Sequence, residues 1–164
     1  MDIFTTLRQS ERAEADMAAL MKAQILFLLL RAPDGHAKNF SIQLLPRGRF
    51  QLAPLYDVMS VYPVIGKGAN HWSPREVRLA MALLGKNRHY DMHAIQRRHF
   101  NSTAQKVGYG RSAEALIEEI LATTPAVIDK VQAQLPEGFS ARVAESIFGG
   151  LRAATKAMAA MPAT

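Results

Sequence analysis

The chain has 164 residues, a length that fits one domain, and its 49% apolar content is enough to bury a core. It has no cysteine, which excludes a disulfide framework and a thiolate zinc site, and its N-terminus shows no signal-peptide pattern. The apolar run Ile25 to Leu30 is far short of the ~18 residues that cross a bilayer, so a single cytoplasmic domain with no membrane span is expected. The formal net charge of +6 is uneven: nine basic and two acidic residues lie between Lys67 and Arg111, and the remainder is close to neutral.

In chain order, Ser10 is a candidate cap for a first helix, with Glu11, Glu14 and Asp16 near its positive end. The spacing of Met17, Leu20, Met21, Ile25 and Leu28 is helical, and the last turns are apolar all round, as in a central buried helix. Arg31-Ala32-Pro33 ends it, because proline disfavours helix at the residue before it. Phe40 to Leu45 and Phe50 to Ala53 alternate with the strand period around a Pro46-Arg-Gly-Arg49 turn, which predicts a β-hairpin. Met59 to Trp72 is rich in proline and glycine and has no clear period. Ser73-Pro74-Arg75-Glu76 has the form of a capping box opening a helix, while Leu79, Met81 and Leu83 alternate equally well as a strand ending in a Gly85-Lys-Asn87 turn. Three further helices follow. The first is capped by Asp91, carries Ile95, Phe100, Ala104 and Val107, and stops at Gly108. Ser112 opens the second, with a core stripe from Leu116 to Val131 interrupted or kinked at Pro125. Ser140 opens the third, with Val143, Ile147, Leu151, Ala154 and Met158 facing inward.

The chemistry concentrates between Asp34 and Asp57. Asp34 and Asn39 stand five positions apart on a loop, and Asp57 lies just past the hairpin. This is the layout of a protein-kinase C-lobe. There the first aspartate accepts the proton of the substrate hydroxyl, and the asparagine and second aspartate hold magnesium against the nucleotide phosphates. An antiparallel hairpin returns the chain to its start, so Asn39 and Asp57 can share one ion although 18 positions apart. As a bare tripeptide, Pro33-Asp34-Gly35 is an ordinary turn; the correlated Asn39, hairpin and Asp57 give it weight. His36 occupies the place two residues after the aspartate where many kinases carry a charge-neutralising lysine. The reading leans to that role over packing beneath the loop, and Lys38 stays open.

The segments PDGHAKNFSI and FQLAPLYDVMS, followed by YPVIGKG, LAMALLGKN and RHF…TA, resemble the HipA-like toxin serine/threonine kinases of bacterial toxin-antitoxin systems. The resemblance runs from about Ile3 to about Met158. It implies a mainly α fold, a helical kinase-like C-lobe with one or two small β-hairpins spanning residues 1–164, and it favours the hairpin over the helix after Ser73. It also implies transfer of the ATP γ-phosphoryl group to a protein serine or threonine, with Asp34 as catalytic base, Asn39 and Asp57 on Mg2+, and Gly35, His36 and Tyr56 beside the nucleotide. Implied partners are a helix-turn-helix antitoxin protein and, through it, operator DNA. The sequence contains neither G-x-G-x-x-G nor a V-A-I-K-like segment, so the N-terminal ATP-binding lobe is read as absent, activity of the chain alone is not expected, and a separately encoded N-lobe is a possible partner.

The basic excess has two open readings, a solvated face or a contact surface for nucleic-acid phosphates or an acidic partner, with Arg97, Arg98, Lys106 and Arg111 as the phosphate-facing candidates. His71, His89, His93 and His99 invite a zinc reading, His89 and His93 most of all at a spacing of four, but no third ligand stands at a recognisable spacing, so they are read as surface histidines and not as a zinc site.

Overall fold

In the computed structural model, which describes residues 3–163, five helices surround one another and carry two small antiparallel hairpins. The elements are α1 (Ile3–Leu7), α2 (Ala13–Leu29), β1 (Ile42–Leu44), β2 (Phe50–Leu52), β3 (Arg78–Leu84), β4 (Arg88–Asp91), α3 (Arg97–Lys106), α4 (Glu114–Ala133) and α5 (Ala141–Ala159). No helix among the described residues is long and apolar enough to cross a membrane.

Helix α2 is the axis of the fold. Leu20, Met21, Ile25, Phe27 and Leu29 on it are almost fully buried, and they point in too many directions for a one-sided helix. Helices α1, α3, α4 and α5 and strand β2 all pack against it. Its C-terminus closes with a Schellman motif: Ala32 N–H donates to Phe27 O at 2.9 Å and Arg31 N–H to Leu28 O at 3.2 Å. Arg31 therefore sits in the left-handed region, φ 50°, where glycine is usual. Pro33 follows the stop and does not cause it. At the other end Ser10 is not the cap, since the helix begins at Ala13; the Ser10 hydroxyl instead bonds the Asp16 carboxylate and accepts the Arg12 N–H at 3.1 Å. The short helix α1 has no counterpart in the sequence reading.

Between Ser73 and Glu76 one half of the capping box forms: Ser73 N–H donates to Glu76 Oε2 at 3.0 Å, while Ser73 Oγ accepts from Arg75 N–H at 3.3 Å and Glu76 N–H donates to the Ser73 carbonyl at 2.9 Å. They close a single turn, and the chain then becomes β3, because burying Val77, Leu79 and Leu83 against α3 outweighs a local propensity of a few tenths to one kcal/mol. Strands β3 and β4 pair with a register shift between Arg78 and Leu83. Asp91 stays in β4, paired with Arg78 at 2.9 Å, and does not cap a helix. Helix α3 starts six residues later, where Gln96 and His99 form the capping box. Helix α4 runs unbroken through Pro125, and Val127 and Val131, expected in the core, are exposed. Ser140 does occupy the N-cap position of α5, and Leu151 and Met158 are buried.

Candidate functional site

The C-terminus of α2 delivers the chain into the loop 33–41. Gly35 lies on the Phe27 ring so closely that a methyl group there would stand 2.2 Å from Phe27 Cε2. Phe27 is itself braced by an edge-on contact with Phe40, ring centroids 6.1 Å apart. The loop is thus seated on a buried aromatic pair. Asn39 ends a 3-10 turn, Ala37–Asn39, and is 8% exposed. Its Nδ2 donates to the Asp34 carbonyl at 2.8 Å, which ties the two ends of the loop together, and the amide oxygen Oδ1 is an acceptor. The Asp34 carboxylate is half exposed, 3.4 Å from His36 Nε2, and His36 Nδ1 is buried with no hydrogen-bond partner.

Asp57 reaches the same place by two routes. The hairpin pairs Ile42 with Leu52, Gln43 with Gln51 and Leu44 with Phe50, and Ala53 N–H donates to Ser41 O at 2.9 Å, so the chain leaves β2 where it entered β1. Tyr56 then crosses back: its hydroxyl lies 2.7 Å from Ser41 Oγ and 3.3 Å from Lys38 O. Beyond Asp57 the chain is clamped to the end of α2. Ser60 Oγ donates to Leu30 O at 2.6 Å, Tyr62 OH to Leu29 O at 2.9 Å and Val61 N–H to Arg31 O at 3.1 Å, which satisfies carbonyls that a helix end leaves open. Burial pushes the Tyr62 phenol pKa up, with the Arg31 charge acting against it. Asp57, between these anchors, is exposed and has φ 54°, a left-handed conformation that non-glycine residues adopt at a cost of about 1 kcal/mol.

These bonds tie Asp34 to Asn39 and fasten the segment that carries Asp57 to the same loop and to the end of α2. A cleft of about 290 Å³ opens next to it between α2 and β2, with Asp16, Asn39, Leu52 and Leu55 among its walls. The Asn39 amide oxygen and the Asp57 carboxylate are hard oxygen donors of the kind magnesium takes, and no ion pair of Asp57 is seen among the described residues. Gly35 serves the seating of the loop, and Tyr56 fastens the Asp57 segment. Sequence reasoning missed Phe27 and the Ser60 and Tyr62 clamps, because each works through residues distant in sequence and carries no local signature.

Asp16 is a further support. Its carboxylate, 2% exposed, bonds the Ser10 hydroxyl, accepts the Leu52 N–H at 2.7 Å and lies 3.5 Å from Arg12, pinning β2 to α2.

Of the basic candidates, Arg97 is a correction. It is 3% exposed and bonded to Glu114 and Glu118 of α4, so it holds α3 to α4 and meets no outside phosphate. Burial opposes its charge, but the two carboxylates outweigh it and raise its pKa. Arg98, Lys106 and Arg111 are exposed. His99, expected at the surface, is buried: it caps α3 and stacks on His89, and no group of three or more His, Asp or Glu among the described residues is placed to hold a metal.

Taken together, the fold and the loop define a helical lobe whose central helix runs into a loop bearing Asp34 and Asn39, with the segment of Asp57 fastened to it. The family profile described as "HipA-like C-terminal domain" matches residues 1–128, and the chain belongs to that family. Among solved structures, HipA of Shewanella oneidensis MR-1, determined with HipB and its operator DNA, is similar in fold: TM-score 0.75 at 20% identity, over 97% of this chain and 35% of that one. The chain thus spans about a third of the length of that relative.

Proposed function

We propose that this chain is the catalytic-loop part of the helical lobe of a HipA-like protein serine/threonine kinase of a type II toxin-antitoxin system. The observation that carries the reading is the fixed Asn39 amide, together with Tyr56, which fastens the segment of the exposed, positive-φ Asp57 to the same loop. In the proposed reaction a serine or threonine hydroxyl oxygen forms the bond to the γ-phosphorus of ATP. The bond from that phosphorus to the bridging oxygen breaks, ADP leaves, and the hydroxyl proton passes to the Asp34 carboxylate. Asn39 Oδ1 and Asp57 would hold Mg2+, which when bound supplies neutralising charge on the phosphates. His36 Nε2, close to Asp34, orients that carboxylate or donates to the transferred phosphoryl group.

The sequence has no phosphate-covering glycine loop and no strand-lysine motif, so these residues form half of a nucleotide site, and the chain alone is proposed to transfer no phosphoryl group. Calorimetric titration of Mg-ATP into the chain tests the half-site. Weak binding abolished by Asn39→Ala and by Asp57→Ala supports it, and no binding at millimolar ATP to a folded sample refutes it.

A second reading rests on a separate observation: Arg88, Lys86, Arg98 and Lys106 are exposed around the β3–β4 turn and α3, and none of them is paired with a carboxylate among the described residues. This supports a binding surface for operator DNA, or for an antitoxin of helix-turn-helix type, independent of ATP. Salt-sensitive duplex binding that survives Asp57→Ala would favour it.

A further inference from the structure

A second hollow, of about 470 Å³, is walled by α1, α2, α3 and the β3–β4 hairpin, and it shares no lining residue with the cleft beside Asn39. Pockets that take small molecules begin at roughly 300 Å³. Strand β3 contributes five consecutive residues to the wall, Ala80 to Leu84, and the two alanines among them are too short to fill the space. Pairing with β4 is also irregular there, with a register shift between Arg78 and Leu83. Phe4, Leu20, Leu83 and Val107, all buried, and the half-buried Met81 make most of the wall apolar.

Among the described residues two buried polar side chains lie in this wall, and they differ. Thr103 is satisfied, since its hydroxyl donates to the His99 carbonyl at 2.7 Å and accepts the Leu84 N–H at 2.7 Å. Gln24 is 4% exposed, and its Nε2 is buried with no hydrogen-bond partner. An unpaired buried donor is costly, and helix formation does not require glutamine in the middle of α2, where leucine or methionine serves as well. A water molecule is a poor remedy: a buried water makes about three hydrogen bonds, and of the buried side chains in the wall Gln24 has the one bond to give. The wall has no aspartate, glutamate, lysine or histidine, and its arginine, Arg88, is exposed. A charge placed inside would therefore lie unbalanced.

We propose that this hollow is a binding site for an uncharged, largely apolar small molecule carrying a carbonyl oxygen. The apolar body packs on Leu20, Leu83 and Val107, and the oxygen accepts the bond from Gln24 Nε2. Ketones, esters and acyl amides have this chemistry. A hydrocarbon offers Gln24 no acceptor, and an inserted carboxylate brings a charge that the wall does not meet.

The test titrates the full chain, labelled at its methionine methyl groups with carbon-13, with propiophenone and with propylbenzene, in which the carbonyl becomes a methylene. Both probes should shift the Met81 resonance saturably and leave that of Met59, which lies outside the hollow, in place. The ratio of the two dissociation constants is then compared with that in Gln24→Met, so that the hydration of the probes cancels. Preference for the ketone should fall about tenfold, the worth of satisfying one buried donor. Ala82→Leu, which fills the hollow, should abolish binding of both probes while the chain stays folded by circular dichroism. An unchanged ratio in Gln24→Met overturns the carbonyl assignment. No saturable Met81 shift with either probe in folded wild-type chain, or undiminished binding in Ala82→Leu, overturns the site itself.

Discussion

Replacing Gly35 with alanine tests how the loop is seated. The added methyl group would stand 2.2, 2.3 and 2.9 Å from three atoms of the Phe27 ring, whereas carbon atoms rest about 3.5–4.0 Å apart. The ring cannot turn away, because Phe27 is 2% exposed and held edge-on by Phe40. The loop must instead rise by roughly the overlap, more than 1 Å, straining the Asn39 to Asp34 bond. The expected loss is about 1–3 kcal/mol in urea unfolding, the usual range for overpacking. Any Mg-ATP affinity of the half-site should fall with it, since Asp34 and Asn39 move together. Phe27→Leu removes the ring that the methyl group meets, so the double variant should be more stable than the sum of the two single losses. Gly35→Ala within about 0.5 kcal/mol of wild type, or strict additivity with Phe27→Leu, would refute the seating argument.

Three further outcomes follow from the same geometry. Asp16→Asn should cost about 1.5–3 kcal/mol, because a buried carboxylate accepting from Ser10 and Leu52 becomes an amide, and hydrogen exchange should show the β1–β2 amides losing protection first. Arg97→Ala should destabilise by about 3 kcal/mol, toward the low end for a buried pair because Glu118 is largely exposed, yet leave duplex affinity unchanged if measured on folded protein. For His99 the lowered folded-state pKa sets the sign: its contribution is complete above the unfolded value near 6.5 and is lost as pH falls through the lower folded value. The melting temperature should therefore drop on acidification below about pH 6.5, and His99→Gln should flatten that part of the profile.

The loop and hairpin that carry Asp34, Asn39 and Asp57 were legible because their signals are local. Aspartate, glycine and asparagine in one loop, a period-two segment on either side of a turn, and an aspartate after it fix the order and approximate geometry without any distant contact. What failed depended on residues far along the chain. Arg97 reads as a surface charge until Glu114 and Glu118 arrive from α4, and Asp91 reads as a cap until Arg78 claims it. One half of the Ser73 capping box forms, yet its helix is cut short by burial of Val77, Leu79 and Leu83. The helix stop at Arg31 was placed rightly from Pro33, but its left-handed cap gave no warning, since arginine is not a residue one assigns to that conformation. Val127 and Val131 continued a plausible stripe, but at this end of α4 the neighbours cover the face of Thr124 and Ile128 and leave the two valines exposed.

Both sheets have only two strands, so each strand has one edge whose backbone groups find no ladder partner. The turns of both hairpins carry guards in Arg47, Arg49, Lys86 and Arg88, charges that discourage a second chain from adding on. Strand β1 itself has none: it reads Ile42-Gln43-Leu44, all exposed, with Leu44 at 78%. In solution that edge is a template for strand addition, and unwanted self-association of the isolated chain should begin there, rising with concentration and relieved by a single lysine at Leu44.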